Sequence, residues 1–134
     1  MCISRTNHEG YPDPTAYAAL SHILKENPFV YICSPYRDDP GTNVIRARRY
    51  CRFAVAEGRI PFAPHLYFPQ ILSESSERET AFRMNFELLK LCEEIWVFGD
   101  DLSEGMVLEL SRAKTLCKTI RYFTASCEEV TSCD

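Results

Sequence analysis

Short, continuous apolar runs alternate with longer amphipathic segments along most of the chain. The runs occupy residues 29–33 (FVYIC), 60–64 (IPFAP), 95–99 (IWVFG) and 119–123 (TIRYF). A short apolar run bounded by Pro, Gly or polar residues is typical of a strand that is covered on both faces. The pattern therefore predicts four buried strands.

Between these runs the apolar positions recur with the period of an α-helix. A helix is predicted over residues 43–58, and its apolar face is formed by Val44, Ala47, Cys51, Ala54 and Val55. A second helix is predicted from a capping box of Ser76 and Glu79 to about residue 92. A third is predicted from an N-cap at Ser103 to about residue 116. Asp13 and Pro14 indicate the start of an earlier helix.

Strands that alternate with helices of this length predict an α/β fold. We expect a single-domain open parallel sheet of four or five strands with helices on both faces, similar to Rossmann and flavodoxin-like folds. The expected divisions are an N-terminal helical extension (1–28), the α/β domain (29–123) and a C-terminal tail (124–134). Ligands of such sheets bind beyond the carboxyl ends of the strands. The loops at that end are 34–41, 64–70 and 99–105.

Composition and charge narrow the class of protein. The chain has 134 residues, of which 46% are apolar, and this suffices for one sizeable core. The net charge of −4 argues against a dedicated duplex-DNA binder, which needs clustered Lys and Arg. One predicted helix is nevertheless basic, and it is interpreted either as a solvated face or as a contact for an acidic partner or nucleic acid. Its cluster is Arg46, Arg48, Arg49 and Arg52.

Seven cysteines are present, but they form no CxxC pair and no set with metal-ligand spacing. Cys51, Cys92 and Cys117 fall on predicted apolar helix faces, where a free thiol acts as a small hydrophobic group. We therefore expect no metal or cofactor and a reduced, cytoplasmic setting. No signal peptide or membrane contact is expected either, since no run reaches the ~18 apolar residues of a membrane helix.

Two polar side chains fall inside apolar helical stripes, where an unpartnered polar group costs free energy. Glu109 shares an arc with Met106 and Leu110 on the third helix. It is interpreted either as the partner of an Arg such as Arg112 or as a functional carboxylate. Asn85 lies within the stripe of the second helix, and it is either a hydrogen-bonded core amide or a site residue.

The start of the third helix is a candidate anion site. Ser103 and Gly105 follow a strand directly, so free backbone N–H groups, a hydroxyl and the helix dipole converge there. Ser is also an ordinary N-cap, and the segment is neither a Walker loop nor a dinucleotide-binding glycine motif. Arg37 is either a further phosphate donor or the surface partner of a neighbouring Asp. His65, at the end of the second strand, is either a site residue or structural.

The second helix has a wider apolar arc than one sheet face requires. Met84, Leu88 and Leu91 extend it to a further side. A second copy of the chain is the simplest cover for that side. The protein is therefore expected to form a homodimer.

From about residue 29 to residue 123 the chain resembles the nucleoside 2-deoxyribosyltransferase-like superfamily. Within it the chain is most similar to the 2′-deoxynucleoside 5′-phosphate N-hydrolases and to small bacterial and phage relatives. The most specific segment is SEGMVLELSRA at 103–113, which is similar to the family pattern S-x-G-x-x-x-E-[LI]-x-x-A. This resemblance implies that Glu109 is the nucleophile and that Ser103, Gly105 and Met106 contact the substrate.

Two shorter segments extend the resemblance. YICSPYR looks like the family's first strand and loop, which implies that Tyr31 holds the catalytic carboxylate and that Ser34 and Arg37 contact the substrate. PHL implies a substrate contact at His65. The implied reaction cleaves the bond between the base and C1′ of a (deoxy)nucleoside 5′-monophosphate through a glycosyl ester of Glu109. The sugar then passes either to water or to a second base.

The chain departs from the family at one position. The family usually carries an Asp acid on the helix before the third strand, and this chain has Asn85 there. An amide cannot donate its proton as an acid. Either the reaction is slow, or the site only binds nucleotide, or another acid serves. The candidate acids are Asp100, Asp101, Glu87 and His65.

The sequence thus leaves two main hypotheses for a nucleotide-binding protein. One is an N-glycosidase or deoxyribosyltransferase-like enzyme that uses Glu109. The other is a non-catalytic module that binds or senses a nucleotide, which Asn85 favours. An oligomeric scaffold with a decayed site is a third.

Overall fold

A computed structural model of the protein describes residues 28–131. Its strands are β1 (Phe29–Cys33), β2 (Ile60–Phe62), β3 (Glu94–Phe98), β4 (Thr119–Phe123) and β5 (Glu129–Val130). Its helices are α1 (Pro40–Ala56), α2 (Arg78–Leu91) and α3 (Glu104–Thr115). The helix expected from Asp13 and Pro14 lies outside the described residues, as does nearly all of the expected extension over 1–28. Within residues 28–131, no helix is both long and apolar enough to span a bilayer.

The strands form one sheet in the order β2-β1-β3-β4-β5. β1 to β4 are parallel, which confirms the predicted open α/β sheet. β5 pairs antiparallel with β4, and it lies in the segment 124–134 for which a tail is expected. The chain reverses at Cys127, whose φ of 64° is left-handed, and the Thr124 N–H donates to the Glu128 carbonyl across the turn at 2.8 Å. A two-residue strand carries too short a pattern to be recognised by alternation.

The two faces of the sheet carry separate cores. Because side chains alternate along a strand, Tyr31 and Cys33 of β1 point to the face that α2 and α3 cover. Val30 and Ile32 point to the opposite face, which α1 covers through Tyr50. Helices therefore lie on both faces, as predicted.

α1 begins earlier than predicted, and its buried arc is rotated. The Asp39 carboxylate accepts a hydrogen bond from the Thr42 N–H at 3.4 Å, and Pro40 lies in the first turn, where its missing N–H costs nothing. Tyr50 is buried whereas Val55 is 49% exposed. The large aromatic ring packs into the core, so it decides which side of the helix faces the sheet.

α2 begins at Arg78, and the capping box predicted for it is wrong. Its N-cap residue is Glu77 rather than Ser76, and no side chain caps it. The Glu77 carboxylate instead accepts a hydrogen bond from the backbone N–H of Ser73 at 2.9 Å. The preceding turn thus uses the acidic side chain that could otherwise have helped to cap the helix.

α3 begins as predicted, because the Ser103 hydroxyl accepts a hydrogen bond from the Met106 N–H at 3.3 Å. It ends at Thr115 with Leu116 as its C-cap residue, close to the predicted end at about residue 116. Cys117 lies beyond the helix, exposed, with a left-handed φ of 57°. Its expected place on an apolar helix face is therefore wrong.

The direction in which the sheet grows changes between β1 and β3. From β1 the chain passes to β2 at one edge, and it then returns to place β3 on the other side of β1. Such a switch point leaves a crevice beyond the carboxyl ends of the strands, where ligands of open α/β sheets bind. β3 is followed by Gly99, whose φ of +99° lets the chain turn sharply at this end of the sheet.

Candidate active site

A cavity of about 410 Å³ opens beyond the carboxyl ends of β1, β2 and β3. Its walls come from the loops after these strands and from the first turns of α2 and α3. This is the end of the sheet at which a ligand is predicted. Most of the predicted site residues line it: Arg37, His65, Asn85, Ser103, Gly105, Met106 and Glu109.

Glu109 lies inside the protein and faces this cavity, with only 2% of its surface exposed. The Tyr31 phenol donates a hydrogen bond to its Oε2, and the Cys33 Sγ lies 3.7 Å from its Oε1. Arg112 is not its partner, since that guanidinium lies 5.8 Å from the ring centre of Phe86. The inward orientation predicted from helical periodicity is confirmed, and the ion-pair alternative with Arg112 is wrong.

Burial raises the pKa of Glu109 to about 7, while the hydrogen bonds from Tyr31 and Cys33 act to lower it. Burial and the negative charge of Glu109 raise the pKa of the Tyr31 phenol well above its usual value. The same two causes raise the pKa of the Cys33 thiol. Both neighbours therefore stay protonated and remain donors. Because the pKa of Glu109 itself is about 7, its side chain is present both as an acid and as a carboxylate near neutral pH.

Cys33 is a site residue that the sequence analysis missed. It lies two positions after Tyr31 on β1, so the two side chains share one face of the strand. Tyr31 and Cys33 are both fully buried, behind Glu109 as seen from the cavity. The alternation of side chains along β1 could have predicted that Cys33 lies on the same face as Tyr31.

Asn85 lies on α2 and lines the same cavity, with 7% of its surface exposed. Within the described residues its Oδ1 atom has no hydrogen-bond partner. A buried amide in a folded core normally finds a partner. Asn85 is therefore not the hydrogen-bonded core amide that was considered, because its buried oxygen is unpaired among the described residues while the residue lines the cavity.

The first turn of α3 forms another wall of the cavity. Ser103, Gly105 and Met106 all line it, so the helix start faces the space in which a ligand would lie. A Cβ atom on Gly105 would lie 3.3 Å from Cζ of Phe82, which shows how closely α2 approaches α3 here. A free helix N-terminus favours anions, because its first N–H groups lack partners within the helix.

Two arginines reach the mouth of the cavity. The Nε of Arg37 lies 3.2 Å from Oε1 of Glu74, and both side chains are about half exposed. Its partner is thus neither of the neighbouring aspartates that were considered. Arg78, which the sequence analysis missed, begins α2 and lies with its guanidinium 5.2 Å from the ring centre of Phe82. The sequence did offer a signal for Arg78, because a residue in the first turn of the helix after the second strand lies near the loops that were expected to bind a ligand.

His65 is oriented by the loop after β1. Its Nε2 lies 2.8 Å from the carbonyl oxygen of Ser34, and its ring stacks on Tyr36 with 5.0 Å between ring centres. Burial lowers the pKa of His65, which favours the neutral ring. Ser34 does not line the cavity; its hydroxyl is buried and lacks a hydrogen-bond partner among residues 28–131. Ser34 therefore supports His65 through its backbone, and its expected direct contact with substrate stays a prediction.

Three of the four candidate acids lie away from the cavity. Asp100 and Asp101 do not line it, and Glu87 pairs with Lys90 at 3.0 Å on the surface. The other carboxylates around the cavity belong to exposed residues at its mouth: Asp38, Glu74 and Glu104. In the described part of the chain no three His, Cys, Asp or Glu side chains form a group that could hold a metal ion.

A comparison with solved structures finds a protein of similar fold. A solved structure of a 2-deoxyribosyltransferase from the psychrotolerant bacterium Bacillus psychrosaccharolyticus is 23% identical, with a TM-score of 0.54, over 77% of this chain and 77% of that chain. This likeness supports the predicted nucleoside 2-deoxyribosyltransferase-like fold. Among the curated proteins, none matches the chain.

A family model matches residues 28–123, which span all of the cavity and all of the sheet except β5. The match covers more than half of the chain and has nearly the same limits as the predicted α/β domain. The chain therefore belongs to the family described as a domain of unknown function, DUF7768.

Proposed function

We propose that this protein cleaves the bond between the base and C1′ of a nucleoside 5′-monophosphate, or transfers the sugar to a second base, with Glu109 as the nucleophile. The observation that carries the proposal is a buried carboxylate that faces a cavity at the switch point of the sheet. Burial of a carboxylate without an ion-pair partner costs folding free energy, and such carboxylates are concentrated at functional sites.

The reaction is a double displacement. A carboxylate oxygen of Glu109 attacks C1′, and the bond from C1′ to the base nitrogen breaks with its electron pair leaving on the base. Water, or the N–H nitrogen of another base, then attacks C1′ of the glycosyl ester, the ester bond breaks to release the Glu109 carboxylate, and the attacking group loses its proton to solvent. Two displacements at one carbon give net retention of its configuration. Tyr31 and Cys33 support the ionised form of Glu109 before the first displacement and after the second, because both lie within hydrogen-bond distance of it.

The 5′-phosphate is assigned to the first turn of α3. Ser103, Glu104 and Gly105 line the cavity, and the backbone N–H groups of Glu104 and Gly105 have no partner within the helix, so the start of α3 favours an anion. Arg37 and Arg78 supply positive charge at the cavity mouth. For Arg37 this requires exchange of its exposed ion pair with Glu74, which is a small cost because such pairs contribute about 0–1 kcal/mol.

The likeness to a 2-deoxyribosyltransferase supports this reaction class by analogy of fold. The experiment is to incubate purified protein with a panel of ribo- and deoxyribonucleoside 5′-monophosphates, with uncharged and positively charged bases, and to measure free base by chromatography. Glu109→Gln should abolish base release, because an amide oxygen is a poor nucleophile. Glu87→Gln is the matched control, since this exposed glutamate lies outside the main cavity. Base release that is undiminished in Glu109→Gln would reject the assignment.

A non-catalytic nucleotide-binding module is the second candidate. The observation that favours it is Asn85, which places an amide rather than a carboxylic acid on the cavity wall. A binder would show nucleotide-dependent thermal stabilisation without base release. Incorporation of an added free base into new nucleotide would in turn distinguish a transferase from a hydrolase.

A further inference from the structure

Among residues 28–131, the inner part of the cavity contains no group that is placed to give a proton to a departing base. Apart from Glu109, the carboxyl groups of the lining belong to exposed residues at the cavity mouth, away from its inner part. Glu109 cannot serve, because it must be ionised to attack C1′. The remaining polar side chains of the lining are three hydroxyl groups, an imidazole and an amide: Tyr36, Ser73, Ser103, His65 and Asn85. Aliphatic hydroxyl groups are very weak acids, which leaves the imidazole, the phenol and the amide to consider.

His65 is held in a form that does not donate toward a ligand. A carbonyl oxygen only accepts hydrogen bonds, so the Nε2 atom that lies 2.8 Å from the Ser34 carbonyl carries the hydrogen. Burial disfavours a second proton on the ring, which leaves Nδ1 as an acceptor. Tyr36 stacks on this ring, and its phenol is a much weaker acid than a carboxylic acid.

Asn85 occupies the cavity wall with a carboxamide. Its Oδ1 has no partner within residues 28–131, and its side chain is more than nine-tenths buried. The amide can make hydrogen bonds to a ring or a hydroxyl, but it cannot release a proton at neutral pH. An uncharged purine or pyrimidine that leaves without a proton leaves as an anion, which is a slow process.

We infer that the natural substrate is a nucleotide whose base is already positively charged, such as a pyridinium or an N7-alkylated purine, because such a base leaves as a neutral molecule without a proton donor. This inference rests on the proposed function. The electron pair of the broken bond from C1′ to nitrogen neutralises the ring's positive charge, and Glu109 takes the sugar as an ester. No proton moves in this step, and the site needs no acid.

The charges and rings around the cavity suit such a base. Four carboxylate residues line the cavity against two arginines, so the lining carries a surplus of negative charge when Glu109 is ionised. Aromatic rings also line it, and their faces attract cations. These rings are Tyr36, Phe68 and Phe82.

The test compares guanosine 5′-monophosphate with its N7-methyl derivative, in ribose and deoxyribose forms, as a pair that differs by one methyl group and one charge. Nicotinamide mononucleotide is a second charged probe with a different ring. Free base is measured with the wild-type protein and without protein, because the charged compounds also react faster unaided. We expect kcat/KM for the N7-methyl nucleotide to exceed that for the uncharged nucleotide by at least the ratio of the two rates measured without protein, and by no less than about 100-fold, the usual contribution of a general acid.

Asn85→Asp provides the second arm, since it places a carboxyl group of the same shape at this wall of the cavity. We expect it to raise base release from the uncharged nucleotide and to lower the ratio between the two substrates by about tenfold or more. If Asn85→Asp fails to fold, as judged by circular dichroism, the test rests on the wild-type protein alone, through its ratio of kcat/KM for the N7-methyl and the uncharged nucleotide.

The outcomes separate the two proposals. A wild-type ratio below the ratio measured without protein would mean that a proton donor acts on the uncharged base, which would overturn this inference and leave the proposed function intact. Base release from none of the probes would overturn the proposed function itself. Release from the charged probes that persists in Glu109→Gln would reject the nucleophile and keep the substrate class.

Discussion

The Tyr31 phenol on β1 donates a hydrogen bond to the Glu109 carboxyl group on α3, across 78 positions of sequence. The contact forms because Tyr31 points to the sheet face that α3 covers and Glu109 points inward from that helix. Burial raises the pKa of Glu109 to about 7, against the opposing effect of the two donors beneath it. The charge of the proposed nucleophile is therefore set mainly by its burial, and the two donors on β1 oppose that effect.

The first prediction concerns the pH dependence of base release. Since only ionised Glu109 attacks, kcat/KM should rise about tenfold per pH unit below the pKa of about 7 and level off above it. The measurement is a rate profile from pH 5 to 9 with nicotinamide mononucleotide, whose ring keeps its positive charge over this range, corrected for the rate without protein. A rate that declines above pH 7 would indicate an essential acid and contradict the absence of a proton donor.

Tyr31→Phe should shift this profile to higher pH. The Tyr31 hydrogen bond lowers the pKa of Glu109, so its removal raises that pKa and leaves less carboxylate at pH 7. A hydrogen bond to a charged group contributes about 1.5–3 kcal/mol, which corresponds to a loss of at least roughly tenfold at pH 7. Tyr50→Phe is the control, because Tyr50 is buried on the opposite face of the sheet. An unshifted profile in Tyr31→Phe would show that the phenol does not influence the nucleophile.

Glu109→Gln should change how folding stability depends on pH. Between its usual pKa of 4.5 and the raised value of about 7, Glu109 is protonated when folded and ionised when unfolded, so its contribution to stability falls as pH rises. One pKa unit corresponds to about 1.4 kcal/mol, so the loss is about 3 kcal/mol. The free energy of unfolding of Glu109→Gln relative to wild type should therefore increase from pH 4.5 to pH 8.

Urea unfolding at several pH values measures this difference, and the comparison with wild type cancels the contribution of groups that both proteins share, such as His65. Glu87→Gln should show no comparable pH-dependent gain, since that side chain is exposed. A constant difference between Glu109→Gln and wild type would mean that Glu109 titrates normally in the folded protein.

Ser103→Ala should affect both stability and phosphate recognition. The Ser103 hydroxyl caps α3 through the Met106 N–H, and loss of such a cap costs about 1 kcal/mol. KM for a nucleotide should rise more than KM for the matching nucleoside, because only the nucleotide carries the phosphate assigned to this helix start. Ser111→Ala, on the exposed side of the same helix, is the control. Equal changes for nucleotide and nucleoside would place the phosphate elsewhere.

The apolar surface of α2 leads to a prediction about association. Met84 and Leu91 are exposed, Leu91 by 70%, and Leu88 lies between them on the same helix. A homodimer that covers this face should sediment as a dimer, and Leu91→Glu should shift it toward monomer. Val55→Glu changes an exposed apolar residue on α1 and should leave the sedimentation unchanged. A monomeric wild-type protein at micromolar concentration would contradict the expectation.

The sequence predicted best those features that depend on neighbouring residues. β1 and β4 have the predicted limits, and the inward direction of Glu109 follows from the period of one helix. Helix starts were predicted less well, because several nearby side chains compete to make each cap. At α2, for example, Glu77 bonds to the Ser73 N–H, and the expected box of Ser76 and Glu79 does not form.

The sequence by itself determined the α/β alternation, the loops that surround the cavity and the presence of an acid and an amide within apolar helical stripes. All of these features follow from patterns of apolar and polar residues that repeat every two to four positions, so they can be identified from neighbouring residues alone. Only the tertiary structure decided that Cys33 joins Tyr31 beneath Glu109, that Arg37 pairs with Glu74 and that the Asn85 oxygen is left without a partner among the described residues. Such contacts join segments far apart in the chain. They depend on strand order, on register and on which face each strand presents, and no local pattern of side chains specifies these.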